Sequence, residues 1–237
     1  MSQHQSLSIL IPVYNEASTI GELLRRVHAV EIPLSKEVVI CDDGSQDDTL
    51  GEVRRYLEAH PDLNAKLLEH GVNQGKGAAV RTALEAATGD LVLIQDGDLE
   101  YDPKDYMVLL EPLLDGRADA VFGSRFLGGG AHRVLYFHHY VANRTLTLIS
   151  NVLTNFNLTD MEVCYKAMRR EVALDLRLRS NRFGIEPEIT AKLAKRGRKV
   201  YEVPVSYAGR SFEEGKKITW RDGVAALYHI LYYKLRD

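Results

Sequence analysis

The first half of the chain alternates short apolar runs with longer amphipathic segments. Apolar runs of four to six residues that end in a polar residue are typical of buried parallel strands. Such runs occur at residues 7–12, 37–41, 65–68, 91–95 and 120–122. Apolar side chains at helical spacing lie between them, at residues 19–30, 50–57, 78–87 and 103–114. Alternation of strands and helices predicts an α/β fold with a mostly parallel, Rossmann-like sheet and right-handed crossovers.

The pattern changes after the glycines at residues 128–130. Residues 134–158 are aromatic and apolar, with Arg144 as the only formally charged residue, and predict a helix that lies either on the surface or in the core. The remaining segments predict a helix at 186–196, a strand at 199–203, a basic loop at 207–217 and an amphipathic helix at 219–235. We expect one domain over residues 1–237, in which the second half completes the first.

Composition narrows the class of protein. A hydrophobic content of 45% and a charged content of 27% are ordinary for a globular protein, and a net charge of −3 offers no argument for nucleic-acid binding. Two cysteines, the lack of a signal-peptide pattern and the lack of a long apolar run predict a cytoplasmic protein in a reducing compartment. A P-loop is excluded because Gly71 and Gly75 are separated by three residues instead of four.

Candidate chemistry follows the fourth predicted strand. Asp96 and Asp98 are one residue apart, so in a strand-like stretch they share a face, and Glu100 has the same parity. Gly97 leaves room for a ligand to approach the backbone. Ligands bind at the carboxyl ends of strands in open α/β sheets, and hard oxygen ligands suit Mg²⁺ or Mn²⁺. The residues therefore suit either a divalent cation at Asp96, Asp98 and Glu100, with a phosphate completing the shell, or a turn of solvated acidic residues.

Seven short motifs, in this order, resemble one enzyme family. They are residues 12–16 (PVYNE), 41–45 (CDDGS), 73–77 (NQGKG), 96–98 (DGD), 123–125 (GSR), 160–166 (DMEVCYK) and 183–188 (FGIEPE). The set resembles the family 2 glycosyltransferases of the GT-A fold, and within them the polyprenyl-phosphate sugar transferases such as dolichol-phosphate mannose and glucose synthases. The resemblance covers nearly the whole chain.

The resemblance implies a role for each matching residue. Residues implied to bind the nucleotide-sugar are Pro12, Tyr14, Glu16, Cys41, Asp43, Lys76, Asp96, Gly97 and Asp98. Asp98 is implied to be the main metal ligand, and Glu100 stands where some relatives carry a metal-binding Gln. Arg125, Arg210 and Lys216 are implied to contact phosphate on the acceptor side. Residues 1–127 would thus form the nucleotide-sugar-binding half and residues 128–237 the acceptor-binding half.

The acceptor decides whether a base is needed. A phosphate monoester is largely dianionic at pH 7 and attacks without a strong base, whereas a sugar hydroxyl must lose a proton. Asp160, Glu186 and Asp98 are the predicted catalytic carboxylates, although Asp160 also suits a helix N-cap and Glu186 a first helical turn. Glu188 lies in the same predicted first helical turn as Glu186.

The function implied by the resemblance is an inverting, metal-dependent transfer of a hexose. The donor would be of the UDP-glucose or GDP-mannose type and the acceptor a polyprenyl or dolichyl phosphate. Two alternatives stay open, namely transfer to a glycan or small-molecule hydroxyl, and an inactive nucleotide-sugar-binding protein. The amphipathic C-terminal helices predict peripheral contact with the cytoplasmic membrane face or with a membrane-protein partner.

Overall fold

The computed structural model describes residues 5–128, 133, 134, 136–210 and 220–236. A seven-stranded sheet forms the centre of this part of the chain, in the order β3-β2-β1-β4-β6-β5-β7. Its strands are β1 (Ser6–Val13), β2 (Ser35–Asp42), β3 (Ala65–Glu69), β4 (Leu91–Ile94), β5 (Ala120–Ser124), β6 (Lys166–Arg169) and β7 (Val200–Pro204). All strand pairs are parallel except those that β6 makes with β4 and β5.

Helices flank the sheet. They are α1 (Ile20–Ala29), α2 (Thr49–Ala59), α3 (Lys76–Ala86), α4 (Tyr106–Leu114), α5 (Phe137–Thr154), α6 (Arg170–Asp175), α7 (Ile185–Lys195) and α8 (Trp220–Leu235), with a 3₁₀ turn at Pro103–Asp105 before α4. The six strands predicted from the sequence are confirmed, and their observed ends lie within two residues of the predicted ones. The α/β class and the mostly parallel sheet are confirmed as well.

The central strands explain why the apolar runs are continuous. In β1, Ile9, Leu10 and Ile11 are all at most 1% exposed, so successive side chains are covered on both faces of the sheet. A strand buried on both faces needs apolar residues at every position, not only at alternate ones. The hydrophobic core therefore follows β1, β2 and β4 and the helices packed on them.

Strand β6 and helix α6 were not predicted. The strand is only four residues long and begins with a charged residue, so it has no apolar run to mark it. The Lys166 side chain is nevertheless buried, because its ammonium group donates to the carbonyls of Met161 and Val163. Since β6 runs antiparallel to β4 and β5, it starts at their carboxyl ends, and residues 160–165 lie at that edge.

Helix α5 lies on the surface, which settles the alternative left open by the sequence. Thr147 and Ser150 are buried, whereas Phe137, Leu148 and Val152 are 77%, 63% and 75% exposed. The helix packs against α7 and α8. Within the described residues, no helix combines the length and the apolar character that crossing a bilayer requires.

Candidate active site

The candidate site lies where the strand order changes direction. From β1 the chain builds outward through β2 and β3, then returns to place β4 on the other side of β1. The register sets Pro12 beside Cys41 and Val13 beside Asp42. The backbone amide of Gln95, just after β4, donates to the Leu10 carbonyl over 2.9 Å. The crevice beyond the carboxyl ends of such strands is the usual ligand site in open α/β sheets.

The two aspartates after β4 each face a different cation. An Asp96 oxygen lies 3.0 Å from the Lys76 ammonium, and an Asp98 oxygen lies 3.1 Å from the Arg210 guanidinium. Leu99 takes a positive φ of 61°, which non-glycine residues rarely adopt, and the Glu100 amide turns back to donate to Asp98 over 3.1 Å. Burial, reinforced by the charges of Asp96 and Glu100, raises the pKa of Asp98 to about 7. Three carboxyl groups of this loop thus face two cations, Lys76 and Arg210.

Arg210 joins three carboxylates from distant parts of the chain. Its guanidinium lies 3.1 Å from both Glu16 and Asp98, and its backbone amide donates to Glu100 over 2.8 Å. The other Glu100 oxygen accepts from the Tyr207 hydroxyl at 2.7 Å. The structure thus brings Arg210, predicted on the acceptor side, together with Glu16, Asp98 and Glu100, predicted on the donor and metal side. Lys216, the remaining predicted phosphate ligand, lies outside the described residues.

The predicted metal ligands Asp96, Asp98 and Glu100 do not converge on one point. Across residues 5–210 and 220–236, as far as they are described, no group of three Asp, Glu, His or Cys side chains has the arrangement of a metal site. Instead, Asp96 is paired with Lys76, and Asp98 is paired with Arg210. Carboxylate oxygens and a raised Asp98 pKa fit a divalent cation, which would have to displace part of these ion pairs. The three-ligand assignment stays a prediction.

Asp43 holds the glycine-rich loop. Its carboxylate, which is almost completely buried, accepts hydrogen bonds from the His70 ring at 2.7 Å, the Asn73 amide at 2.9 Å and the backbone amides of Gln74 and Gly75 at 2.9 and 2.7 Å. A carboxylate with four donors has its hydrogen-bonding capacity filled. In this arrangement Asp43 shapes the loop, and its predicted contact with the nucleotide stays a prediction.

Two neighbours of Asp43 lie at the same end of β2. The Cys41 thiol lies 3.6 Å from a ring nitrogen of His70, and burial raises its pKa to about 12, so it is a neutral lining group and not a nucleophile. Asp42 has one buried oxygen, Oδ1, without a hydrogen-bond partner. Asp42 and His70 were not predicted as site residues, although both lie at strand ends beside predicted ones.

The end of β1 contributes the remaining predicted donor contacts. Pro12 is buried beside Cys41, whereas Tyr14 is partly exposed. A Cβ atom on Gly97 would lie 3.2 Å from the Val13 side chain, so the loop passes close to β1. The Gly97 carbonyl also accepts from the Thr19 hydroxyl at 3.0 Å. The structure therefore places Pro12, Tyr14 and Gly97 at one end of the sheet.

Lys76 connects the aspartate loop to α7. Its ammonium lies 3.1 Å from Glu186 Oε1 as well as 3.0 Å from Asp96. Glu186 is only 5% exposed, and its Oε2 atom has no hydrogen-bond partner. The structure thus brings this predicted catalytic residue to the aspartate loop. Glu188, by contrast, accepts from the amides of Arg179 and Ser180 and pairs with Lys192, which is a structural role.

Asp160 and Arg125 are engaged with each other. The guanidinium makes a two-pronged contact with the carboxylate at 2.6 and 2.7 Å, and the Arg125 amide adds a third hydrogen bond at 3.1 Å. Asp160 is fully buried. A carboxylate in this state has no free access to an acceptor hydroxyl. The predicted roles of Asp160 as a base and Arg125 as a phosphate ligand stay predictions.

Glu162 is a site residue that sequence analysis missed. It follows Asp160 by two positions at the edge where β6 begins, and its Oε1 atom is buried without a hydrogen-bond partner. Burial, together with the charge of Glu186, raises its pKa to about 8. The 160–166 motif contained the signal, since it places a second acid next to Asp160.

The chain belongs to glycosyl transferase family 2, whose model matches residues 8–177, more than half of its length. The chain has the GT-A fold. It is similar to a crystal structure of glucosyl-3-phosphoglycerate synthase from Mycobacterium tuberculosis in complex with Mn²⁺, uridine diphosphate and phosphoglyceric acid, with a TM-score of 0.74. The match covers 98% of this chain and 79% of that one at 19% sequence identity. The family and fold implied by the motifs are thereby confirmed.

The curated relatives include polyprenyl-phosphate enzymes. The chain is 33% identical to glycosyltransferase AglJ of Haloferax volcanii and 27% identical to dolichol-phosphate mannosyltransferase of Pyrococcus furiosus, each time over 89% of its own length. It is 35% identical to dodecaprenyl-phosphate galacturonate synthase of Rhizobium johnstonii over 52% of its length. It spans 65%, 58% and 37% of these three relatives.

Proposed function

We propose that the chain is an active glycosyltransferase that moves a hexose from a nucleoside-diphosphate sugar to a polyprenyl or dolichyl phosphate, with inversion at the anomeric carbon. The observation that carries the proposal is the cluster around Asp98, in which carboxylates outnumber the cations Lys76 and Arg210 at the carboxyl edge of the sheet. The names of the curated relatives and the ligands named for the structural neighbours support the same chemistry.

Asp96 and Asp98 are the groups that would hold Mg²⁺ or Mn²⁺, with Glu100 as a further candidate. When bound, the cation offsets the charge that grows on the departing nucleoside diphosphate. Lys76 already lies 3.0 Å from Asp96 and is positioned to contact the diphosphate oxygens once this carboxylate is occupied. Interactions that strengthen as the leaving-group charge develops are the ones that accelerate the reaction.

A phosphate acceptor fits the state of Asp160. Because Arg125 occupies this carboxylate, a reaction that needs no strong base suits the site better than one that does. A phosphate oxygen would form the new bond to C1 while the bond from C1 to the diphosphate oxygen breaks, and the nucleoside diphosphate leaves. A single displacement of this kind inverts C1. Arg125, Arg210 and Lys216 are the cations assigned to the acceptor phosphate.

The exposed apolar side chains of α5 and α8 support a lipid acceptor. Leu148 and Val152 on α5 and Tyr228 and Leu231 on α8 are between 48% and 75% exposed. Apolar side chains on surface helices favour contact with the membrane interface. We therefore propose peripheral attachment at the cytoplasmic membrane face, with residues 1–127 binding the donor and residues 128–237 the acceptor.

Glu186 favours one alternative acceptor. Its unpartnered Oε2 atom, next to Lys76, is the group that would take the proton if the acceptor were a glycan or small-molecule hydroxyl. A nucleotide-sugar-binding protein without activity is the other alternative, and it would bind the donor tightly without turnover.

A transfer assay tests the proposal. The protein would be incubated with Mn²⁺ or Mg²⁺ and a short polyprenyl phosphate in detergent, and UDP-glucose, UDP-GlcNAc and GDP-mannose would be offered separately. A metal-dependent glycolipid from one donor is the expected result. Donor binding without any lipid product would favour the hydroxyl acceptor or the inactive protein.

Replacing Asp98 tests the predicted metal site. Asp98→Asn removes a charged oxygen ligand but keeps the side-chain shape, and we expect metal-dependent transfer to fall by at least a hundredfold, the order of a lost electrostatic contact in a transition state. Initial rates across a Mn²⁺ titration would measure this. Full activity in the variant would refute the assignment of Asp98 as a metal ligand.

A further inference from the structure

Two carboxyl oxygen atoms near the aspartate loop are buried and have no hydrogen-bond partner among the described residues. They are Oε1 of Glu162, just before β6, and Oε2 of Glu186, in the first turn of α7. A buried acceptor without a hydrogen-bond partner costs about 1–3 kcal/mol, and more when it is charged. Proteins rarely keep two such groups side by side without a use, so the pair points to a ligand that supplies the missing donors.

The surroundings of the pair define the charge of that ligand. Glu186 is the strongest neighbouring charge acting on Glu162, and Lys76 and Lys166 act on the same cluster. Lys76 pairs with Asp96 and Glu186 on the side of the predicted diphosphate site, and Lys166 donates to two backbone carbonyls, so neither ammonium is directed at a charged group on the sugar. An anionic group on the sugar would meet the Glu186 carboxylate without an uncommitted ammonium group, and a further cation would meet two ammonium groups. Neutral hydroxyl groups remain as suitable partners.

The protonation of the pair also suits hydroxyl groups. Two acids in one enclosed site do not both ionise readily, and the pKa of Glu162 is raised to about 8, first by burial and then by Glu186. At neutral pH Glu162 therefore mainly offers a proton for a hydrogen bond, and the unpartnered Oε2 atom of Glu186 offers an acceptor. A sugar hydroxyl both donates and accepts hydrogen bonds, so neighbouring hydroxyls can satisfy both groups at once.

We propose that Glu162 and Glu186 together bind hydroxyl groups of an uncharged hexose in the donor and exclude a sugar that carries a carboxylate. This inference rests on the proposed function and narrows its substrate class. Lys166 acts as the positioning residue, because its hydrogen bonds to the Met161 and Val163 carbonyls fix the turn that carries Glu162. The link from Glu186 through Lys76 to Asp96 places this hydroxyl site beside the predicted diphosphate site.

Binding measurements separate the sugar contribution from that of the nucleotide. Isothermal titration with Mn²⁺ present would compare UDP with UDP-glucose and GDP with GDP-mannose. For the nucleotide that binds, Glu162→Ala should weaken the nucleotide-sugar about tenfold to a hundredfold, the range for losing a hydrogen bond to an ionisable group, and leave the free nucleotide unchanged. Unchanged nucleotide affinity shows in the same experiment that the variant is folded.

Two controls sharpen the result. Glu162→Gln keeps both a donor and an acceptor and should retain most of the sugar affinity. Glu171→Gln changes an exposed glutamate on α6 and should change neither affinity. In the wild-type protein, UDP-glucuronate should bind no more tightly than UDP.

Each contrary outcome has a distinct meaning. Equal loss of nucleotide and nucleotide-sugar affinity in Glu162→Ala, or no loss of either, would overturn the hydroxyl site alone. Binding of UDP-glucuronate as tight as that of UDP-glucose would overturn the selection against charged sugars. If neither UDP nor GDP binds, the proposed function falls and this inference with it.

Discussion

Arg125 and Asp160 form an enclosed ion pair that joins the end of β5 to the turn before β6. The guanidinium is 10% exposed and the carboxylate is fully buried. Both residues were predicted at the site, but their mutual pairing was not, since the two lie 35 positions apart in a chain with many other charged candidates. The sequence shows which charges exist, whereas the pairing depends on which loops meet at the sheet edge.

This pairing leads to a stability prediction. Asp160→Asn should leave the Arg125 charge buried and unpaired and lower the free energy of unfolding by about 3–5 kcal/mol. Urea denaturation followed by circular dichroism would measure it. Asp115→Asn breaks an exposed pair with Arg117 and should cost below about 1 kcal/mol. A stable Asp160→Asn protein that had lost only kcat would instead indicate that Asp160 is the base.

Glu162 gives a prediction about pH. Its pKa in the folded protein, about 8, lies above the ordinary value of 4.5, so the folded state holds the proton more tightly than the unfolded chain. The stabilisation is full below about pH 4.5 and is lost as the pH rises towards 8, with a limiting slope of about 1.4 kcal/mol per pH unit for one proton.

Glu162→Gln removes this titration. The difference in unfolding free energy between the wild-type protein and the variant should therefore fall from pH 5 to pH 8. Denaturation midpoints at four pH values in that interval would show it. Parallel curves for the two proteins would mean that Glu162 keeps an ordinary pKa.

At the scale of elements, the glycine-rich loop is held between α3 and the segment before α7. A Cβ atom on Gly77 would overlap the Ser180 carbonyl oxygen, and one on Gly75 would overlap the Asn181 carbonyl oxygen. Arg81 of α3 donates to the Ser180 carbonyl and to the Asn181 side chain, which keeps that segment against the loop. These glycines serve close backbone packing, whereas sequence analysis could assign them only to a loop.

Gly77→Ala tests this packing. The overlap is with backbone, so the loop must shift, and we expect a loss of about 1–3 kcal/mol in stability together with weaker nucleotide binding. Gly71→Ala is the matched control, because a Cβ atom there meets nothing within 4 Å. Thermal unfolding and titration with UDP or GDP would compare the two variants. Equal behaviour of both would contradict the proposed packing.

At the scale of the whole molecule, α5 and α8 place exposed apolar side chains on the half assigned to the acceptor. Val152 is 75% exposed and Leu235 83%. The helices are joined at one end, where the Lys234 ammonium donates to the Leu153 carbonyl over 2.7 Å. An exposed apolar helix surface of this kind favours a partner, and the proposed partner is the membrane interface.

Vesicle binding tests the proposed contact. Val152→Glu adds a charge to the surface of α5 and should reduce co-sedimentation with vesicles of phosphatidylcholine and phosphatidylglycerol severalfold. Leu174→Glu alters an exposed apolar residue on α6, at 38% exposure, and should have no effect. If the wild-type protein does not sediment with the vesicles, or both variants behave like it, the contact lies elsewhere.

Local pattern accounts for the parts of this molecule that the sequence determined by itself. The sequence predicted strands β1 to β5 and β7, the long helices and the carboxylates of the Asp96–Asp98 loop. Burial on both faces of a sheet and helical spacing each produce a pattern of apolar residues that is visible within a short segment. The ordered motifs were enough to identify the family.

Long-range contacts decided the rest. Strand β6 forms between β4 and β5, which are far from it in the chain, and its antiparallel course brings residues 160–165 to their carboxyl ends. The ion pairs of the site join segments that are far apart in the chain. Lys76 pairs with Asp96 and Glu186, and Arg210 pairs with Glu16, Asp98 and Glu100. The unpartnered oxygens of Glu162 and Glu186 also depend on such distant segments. The sequence shows which side chains are charged. Which of them form pairs depends on the segments that the fold brings close together and on how deeply they are buried.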